Sequence, residues 1–326
     1  MKSIQRIAIL TSGGDAPGMN AAVRAATRAA LARGWEMHGV RHGYAGLINN
    51  TIEPLHARDV GGIIQRGGTV LGSARSAEFA TDAGRAHALA NLHERGIDAL
   101  IVIGGNGSQT GASVLAQAGF AVVGVASTVD NDLAGTDITI GVDTAVNITV
   151  EAIDRLRTTG SSHRRAFLVE TMGRNCGYIA LMAGLAGGAE VIVIPECEVE
   201  PHDVTERLRA AYQRGKTHAL VVVAEGAKHG AHAIVQYAAE HRAEVGFGMR
   251  VTTLGHVVRG GAPTAGDRIL ATRLGAAAVD QLARGASGVL VGMRGGDIIT
   301  TPLADIAGKT KGVSQELLAL ARVLAQ

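Results

Sequence analysis

Short runs of β-branched and aliphatic residues alternate along the chain with longer alanine-rich stretches whose apolar positions recur every three or four residues. IAIL at 7–10 precedes MNAAVRAATRAALARG, ALIVIG at 99–104 precedes SQTGASVLAQAG, and AVVGVA follows at 121–126. A strand-sized apolar run followed by a helical period predicts βαβ units on a parallel sheet. The rhythm resumes with AFLVE, VIVIP and ALVVVAEG, separated by the helix-like NCGYIALMAGLAG and VTERLRAAYQRG. A second α/β domain is therefore expected. No Pro/Ser/Gly linker or charge block marks the junction.

With 326 residues and 47% hydrophobic content, the chain can build two ordinary cores or one large one. Its 45 glycines against 6 prolines, without a Gly-x-y period, indicate tight strand-to-helix turns and exclude collagen-like or low-complexity structure. A formal charge of +2 gives no broad electropositive field, and 3% aromatics leave little for base-stacking platforms, so no nucleic-acid partner is expected. Cys176 and Cys197 have neither the number nor the spacing of a disulfide framework or zinc site, which fits a reducing cytoplasmic setting. Every apolar run is strand-sized, so no membrane segment is expected.

Ligands of open parallel sheets sit beyond the carboxyl ends of strands, where helix N-termini present unpaired N–H groups. The first such exit is TSGGDAPGMN, where Gly13 and Gly14 allow close backbone approach and no P-loop Gly-Lys-Ser/Thr ending follows. The second, IGGNGSQTG, places Gly104, Gly105, Asn106, Gly107 and Ser108 before a helix, suited to cradling phosphate but lacking a dinucleotide fingerprint. The third is STVDND. There Asp130 and Asp132 are two apart, so one carboxylate can accept a proton while the other holds a divalent metal; a polar Asx turn is the alternative. Farther on, Arg165, Arg174, Arg250, His256 and Arg259 supply dispersed cations, of which the arginines match phosphate oxygens with a planar fork. Glu225 closes ALVVVAEG and can accept sugar hydroxyls or act as a helix N-terminal charge.

TSGGDAPGMNAA, RGGTVLGSAR, IDALIVIGGNGS, TVDND, VEAIDRLR, ETMGRNCG, TTLGHVVRGG and DRILATRLGA resemble, in that order, the bacterial nucleotide-dependent 6-phosphofructokinases. The resemblance implies two three-layer α/β domains with mainly parallel sheets: a nucleotide-binding domain over 1–141 plus 258–308 and a sugar-phosphate-binding domain over 142–257 plus 309–326. It implies transfer of a phosphoryl group from ATP, with Mg2+, to the 1-hydroxyl of fructose 6-phosphate, a glycolytic step. Carried over position by position, the resemblance implies that Asp130 takes the hydroxyl proton, that Arg75 and Arg174 neutralise the transferring group, and that Thr128 hydrogen-bonds nearby. Gly14, Arg75, Ser76 and Gly105–Ser108 lie along the nucleotide, with Asp132 and Asn106 toward the metal. The sugar pocket corresponds to Met172, Gly173, Arg174, Glu225, His256 and Arg259, with Arg165 and Arg250 reaching from a neighbouring subunit of a homotetramer. An effector site for a nucleotide diphosphate or phosphoenolpyruvate corresponds to Arg24, Arg28, Arg157, Glu190, Arg214, Lys216 and His218; Arg24 and Arg28 also fit a solvated helical face.

Three positions depart from the family pattern. Asn106 stands where an aspartate associated with magnesium is usual, and Ser127 where nucleotide users carry glycine and pyrophosphate users lysine. Ser76 replaces a bulkier residue beside Arg75, while Gly107 matches the nucleotide users. Two alternatives remain at this point: a pyrophosphate-dependent enzyme, and a non-catalytic sugar-phosphate or nucleotide sensor of the same fold. A dinucleotide-dependent oxidoreductase is disfavoured by the missing glycine fingerprint and ribose-binding acid.

Overall fold

The computed structural model describes residues 4–163 and 165–324. The chain divides into two units, Met1–Thr144 with Arg259–Thr310, and Ala145–Val258 with Lys311–Gln326. From the N-terminus run β1 (Arg6–Ser12), α1 (Met19–Leu31), β2 (Glu36–Val40), α2 (Gly43–Ile48) and β3 (Ile52–Pro54). A 3-10 turn (Glu78–Ala80) then leads to α3 (Asp82–Glu94), β4 (Ala99–Gly104), α4 (Asn106–Gln117) and β5 (Ala121–Ala126). Next, α5 (Val142–His163) precedes β6 (Arg165–Thr171), α6 (Tyr178–Ala186), β7 (Val191–Val193), α7 (Pro201–Gln213) and β8 (Ala219–Ala224). These are followed by α8 (Ala231–Glu240), α9 (Arg242–Val245), β9 (Gly248–Thr253) and a second 3-10 segment (Gly255–Arg259). The chain ends with α10 (Ala265–Ala283), β10 (Val289–Arg294), β11 (Asp297–Pro302), α11 (Leu303–Ile306) and α12 (Gln315–Leu324).

In the first unit the strands order β11-β10-β5-β4-β1-β2-β3, parallel except for the antiparallel edges β3 and β11. Every residue of β4 is buried, as expected of a strand covered on both faces. Pairing runs from Ile7↔Ala99 to Ser12↔Gly104 and on to Gly104↔Ala126, so β1, β4 and β5 end level and release their loops side by side. The chain leaves β1 toward β2 and later returns to β4 on its other flank, which makes the β1–β4 crevice the topological switch point. Behind the sheet, α1 buries the stripe Met19, Ala22, Val23, Ala26 and Ala30. Gly275 lets α10 close on α1, because a Cβ there would lie 2.5 Å from the Ala22 carbonyl oxygen.

The second unit has an all-parallel sheet ordered β7-β8-β6-β9. One core gathers Leu168, Val221, Val223, Leu208 and Ile234; the other gathers Val169, Val222, Leu181 and Leu220. This is the period-two division of strand side chains between two covered faces. Thr171 pairs with Ala224 and Glu170 with Thr253, so the carboxyl ends of β6, β8 and β9 are also level. Among the described residues no helix is long and apolar enough to cross a membrane.

Candidate active site

At the carboxyl ends of β1, β4 and β5 the first unit opens a cavity of about 670 Å³. It is lined by Gly13 and Gly14, by Arg75 and Ser76, by Asn106, Gly107 and Ser108, and by Thr128, Asp130, Asp132 and Arg259. Backbone chemistry explains why the chain turns here. Gly13 has φ 83°, and Ser73 donates from its hydroxyl to the Gly13 carbonyl at 2.5 Å. Gly104 would place a Cβ 2.6 Å from both the Ser12 carbonyl oxygen and Ser108. Gly107 faces open space, so any side chain there would project into the region a ligand approaches. Gly105 caps α4 with no side-chain hydrogen bond, leaving the first N–H groups of this helix directed at the cavity.

The third loop is held by Asn131. Its φ is 50°, a left-handed conformation that asparagine tolerates better than most residues. The Asn131 amide donates to the Asp137 carbonyl at 3.1 Å, and the Thr139 hydroxyl donates to the Thr128 carbonyl at 2.6 Å. With Asn131 itself buried, Asp130 and Asp132 on either side both line the cavity. The Asn106 side-chain nitrogen donates to the Asp132 carbonyl at 3.4 Å, and its Oδ1 is buried without a hydrogen-bond partner.

The oxygens of Asn106 and Asp132 are hard ligands, and that unpaired amide oxygen fits a hard cation such as Mg2+. Among the described residues no group of three or more His, Cys, Asp or Glu forms a cage.

Tyr44, Phe79 and Arg85 line the cavity without belonging to a sequence motif. The Tyr44 hydroxyl donates to the Ser108 carbonyl at 2.5 Å, while its ring stacks on Phe79 at 4.0 Å and 15°. Burial pushes the Tyr44 phenol well above its ordinary value, so it stays a neutral donor. Arg85 closes the same end, donating to the Ala80 carbonyl at 2.6 Å and pairing with Asp82. The signal that could have flagged Tyr44 is the scarcity of aromatics, since only 4 tyrosines and 4 phenylalanines occur in the chain. Arg259, grouped from sequence with the sugar residues, lies in this cavity. Its guanidinium fills the space that a Gly14 side chain would take and reaches the Asp15 carbonyl at 3.3 Å.

In the second unit, Met172, Gly173 and Arg174 follow β6, Glu225 follows β8 and His256 follows β9, all beyond the carboxyl ends of the sheet. Gly173 has φ 138°, and Gly226 donates its N–H to the Gly173 carbonyl at 3.1 Å. A Cβ on Gly226 would lie 1.8 Å from the Arg174 carbonyl oxygen, so glycine is what lets these two exits close together. Arg165 starts β6 and Arg250 sits within β9 opposite Phe167, so neither joins that carboxyl-end group. Six residue steps separate Arg165 from Thr171, roughly 20 Å along a strand.

Of the effector set, Glu190 is buried, accepting from Lys216 at 2.7 Å and from the Leu220 N–H at 2.6 Å. Arg157 bonds the Gly187 carbonyl and lines a small cleft with His218, whereas Arg214 is exposed at the end of α7. Arg24 and Arg28 lie one helical turn apart on α1 of the first unit.

The Phosphofructokinase family profile matches residues 6–282. The chain is 55% identical to the ATP-dependent 6-phosphofructokinase 1 of Thermus thermophilus, over 99% of this chain and 100% of that one. It is 47% identical to the ATP-dependent 6-phosphofructokinase of Bacillus subtilis, over 98% and 99% of the two chains. Among solved structures, Pichia pastoris phosphofructokinase in the T-state superposes with a TM-score of 0.89 at 35% identity. That match covers 99% of this chain and 37% of the much longer yeast polypeptide. Matched by the family profile over most of its length and by full-length bacterial relatives, the chain belongs to the phosphofructokinase family.

Proposed function

We propose that the protein catalyses ATP-dependent phosphorylation of fructose 6-phosphate at its 1-hydroxyl, giving fructose 1,6-bisphosphate and ADP in glycolysis. The observation that carries this is the cavity at the β1–β4 switch point, where Asp130, Asp132, Arg75 and a glycine-cradled helix N-terminus converge. Full-length relatives named for the same activity support it. The apolar end of the cavity, formed by Tyr44, Phe79 and Val114, suits a nucleoside and has no use for inorganic pyrophosphate.

In this mechanism the donor phosphates lie along Gly14, Arg75 and Gly105–Ser108, where backbone N–H groups and the dipole end of α4 balance their charge. The sugar 1-oxygen attacks the γ-phosphorus in line, the bond to the β,γ-bridging oxygen breaks, and the hydroxyl proton passes to Asp130. Arg75 and Arg174 stabilise charge on the transferring group, with Thr128 hydrogen-bonded beside it. Asp132 and Asn106 would hold magnesium together with the donor phosphates, and the ion would supply further neutralisation of their charge. No covalent intermediate is needed, because positioning and charge stabilisation carry most of phosphoryl transfer.

The first unit serves as the nucleotide domain and the second as the sugar-phosphate domain. Met172, Gly173, Arg174, Glu225, His256 and Arg259 bind the sugar. We place the enzyme in the cytoplasm as a homotetramer in which Arg165 and Arg250 serve a neighbouring subunit. Their position at the amino-terminal part of the sheet, away from the Arg174 exit, supports that assignment. The cluster of Arg157, Glu190, Lys216 and His218 forms part of an effector site completed by Arg24, Arg28 and Arg214.

A steady-state assay with fructose 6-phosphate and ATP, GTP, ADP or pyrophosphate tests the reading. ATP is expected to support turnover and pyrophosphate is not. Asp130→Ser is expected to lower kcat by about 10² to 10⁴ with little change in sugar affinity, as for a lost general base. A variant with wild-type kcat would remove Asp130 from the chemistry.

A further inference from the structure

Behind the donor loop lies a polar side chain that substrate does not reach. Gln109, in the first turn of α4, is 1% exposed. Its Nε2 donates to the carbonyls of Val102 at 3.2 Å, Gly104 at 3.0 Å and Val125 at 3.2 Å. Two of these acceptors belong to β4 and the third to β5, so one nitrogen ties both strands where they release their loops. Gly104 also accepts from the Ser127 N–H at 3.2 Å, which joins the two loop origins directly.

The opposite end of the amide has no such reward. Gln109 Oε1 is buried without a hydrogen-bond partner, against Gly124 of β5. A buried acceptor left unpaired costs free energy that a leucine or methionine of similar volume would avoid. Turning the amide over would aim Oε1 at three carbonyl oxygens, so the orientation is set by those acceptors. Gly124 makes room for it: a Cβ there would stand 2.0 Å from Oε1, while the backbone at that position has no left-handed φ that itself calls for glycine. A merely space-filling residue would need neither the orphaned oxygen nor the missing side chain opposite it.

We propose that Gln109 is a positioning residue for phosphoryl transfer, whose amide fixes the spacing between the donor loop Gly105–Ser108 and the turn that carries Thr128, Asp130 and Asp132. The inference rests on the phosphofructokinase activity proposed above. In-line transfer depends on the alignment of donor and base, and a misplacement of about 1 Å can cost about a hundredfold. The sugar binds largely to groups outside these two loops, so its affinity depends less on that spacing.

The test compares wild type, Gln109→Leu, Gln109→Ala, Gly124→Ala and the Gln109→Ala/Gly124→Ala double variant in kinetics and thermal unfolding. Gln109→Leu is expected to lower kcat per folded site about tenfold to a hundredfold, with KM for fructose 6-phosphate within about threefold of wild type. A purely structural role would lower Tm and the folded fraction and leave kcat per folded site unchanged, which would overturn the proposal. Gly124→Ala displaces the amide without altering it and provides a second route if Gln109→Leu does not fold. Its loss of kcat is expected to vanish once residue 109 is alanine, because the added methyl then meets no amide. Independent, additive losses at 109 and 124 would also overturn it. Absence of phosphofructokinase activity in the wild type would instead sink the underlying functional reading.

Discussion

At the scale of single residues, the position that most distinguishes this chain is Asn106. A neutral amide oxygen can coordinate a hard cation but brings no charge, so in the proposed metal site Asp132 and the donor phosphates would carry the electrostatic part of the affinity. The unpaired, buried Oδ1 of Asn106 beside Asp132 is in keeping with that role. Asn106→Asp is therefore expected to lower the free magnesium needed for half-maximal rate at saturating ATP, with the natural enzyme already active. Activity appearing only in the aspartate variant would mean the natural chain is a sensor, whereas an unchanged magnesium dependence would place residue 106 outside the ion's influence. Ser76 raises the related question of what faces the base in place of a bulkier side chain. Tyr44 and Phe79 supply an aromatic pair in the same cavity, contributed by α2 and the 3-10 turn.

The elements show which parts of this arrangement a sequence can reveal. The turns at the strand exits are local: TSGGDAPGMN, IGGNGS and TVDND each carry their glycines or carboxylates within one short segment. The level ends of β1, β4 and β5 then bring the three together. Tyr44, Phe79 and Gln109 were not legible, because their roles come from partners distant in the chain or from carbonyls that any sequence possesses. The strands β2 (EMHGV) and β9 (GMRVTT) were equally hidden by polar residues at exposed positions. Asp267 is another such case. It is buried in the first turn of α10 and accepts from the N–H groups of Gly141 at 2.7 Å and Thr144 at 2.8 Å, and from the Thr144 hydroxyl at 2.5 Å. It thus pins the chain just after the loop that carries Asp130. Burial raises its carboxyl above the ordinary value of 3.8, outweighing these hydrogen bonds. A raised folded-state pKa means that the native protein binds more protons than the unfolded chain between the two values, so this contribution to stability falls as pH rises through that window. Denaturant unfolding of wild type and Asp267→Asn at fixed protein concentration is expected to show the difference moving in favour of wild type from pH 7 toward pH 4. A difference moving the other way would show that the hydrogen bonds outweigh burial.

At the scale of the whole molecule, the separation of Arg165, Arg174 and Arg250 along β6 and β9 bears on the proposed assembly. Arg174 follows the carboxyl end of β6, and Arg165 stands at its start, roughly 20 Å away along the strand. One chain's Arg165 therefore does not converge with its own Arg174 on a small sugar phosphate, and in the proposed oligomer one subunit's Arg165 and Arg250 would instead meet its neighbour's pocket. Arg165→Ala and Arg250→Ala are expected chiefly to raise the KM for fructose 6-phosphate, since each removes a charge-assisted contact made both before and during transfer. The double variant can then be mixed with Asp130→Ser chains under conditions that exchange subunits. If two chains share each pair of sites, random 1:1 mixing makes about half of the pairs mixed, and each mixed pair contains one site with both Asp130 and the two arginines. Roughly a quarter of wild-type turnover should then return at low sugar concentration, from two preparations that are separately almost inactive. Mass measurement of the hybrids establishes that exchange took place. Hybrids of confirmed composition with no recovered activity would show that each chain completes its own pocket, and Arg165 and Arg250 would lose their place in the site.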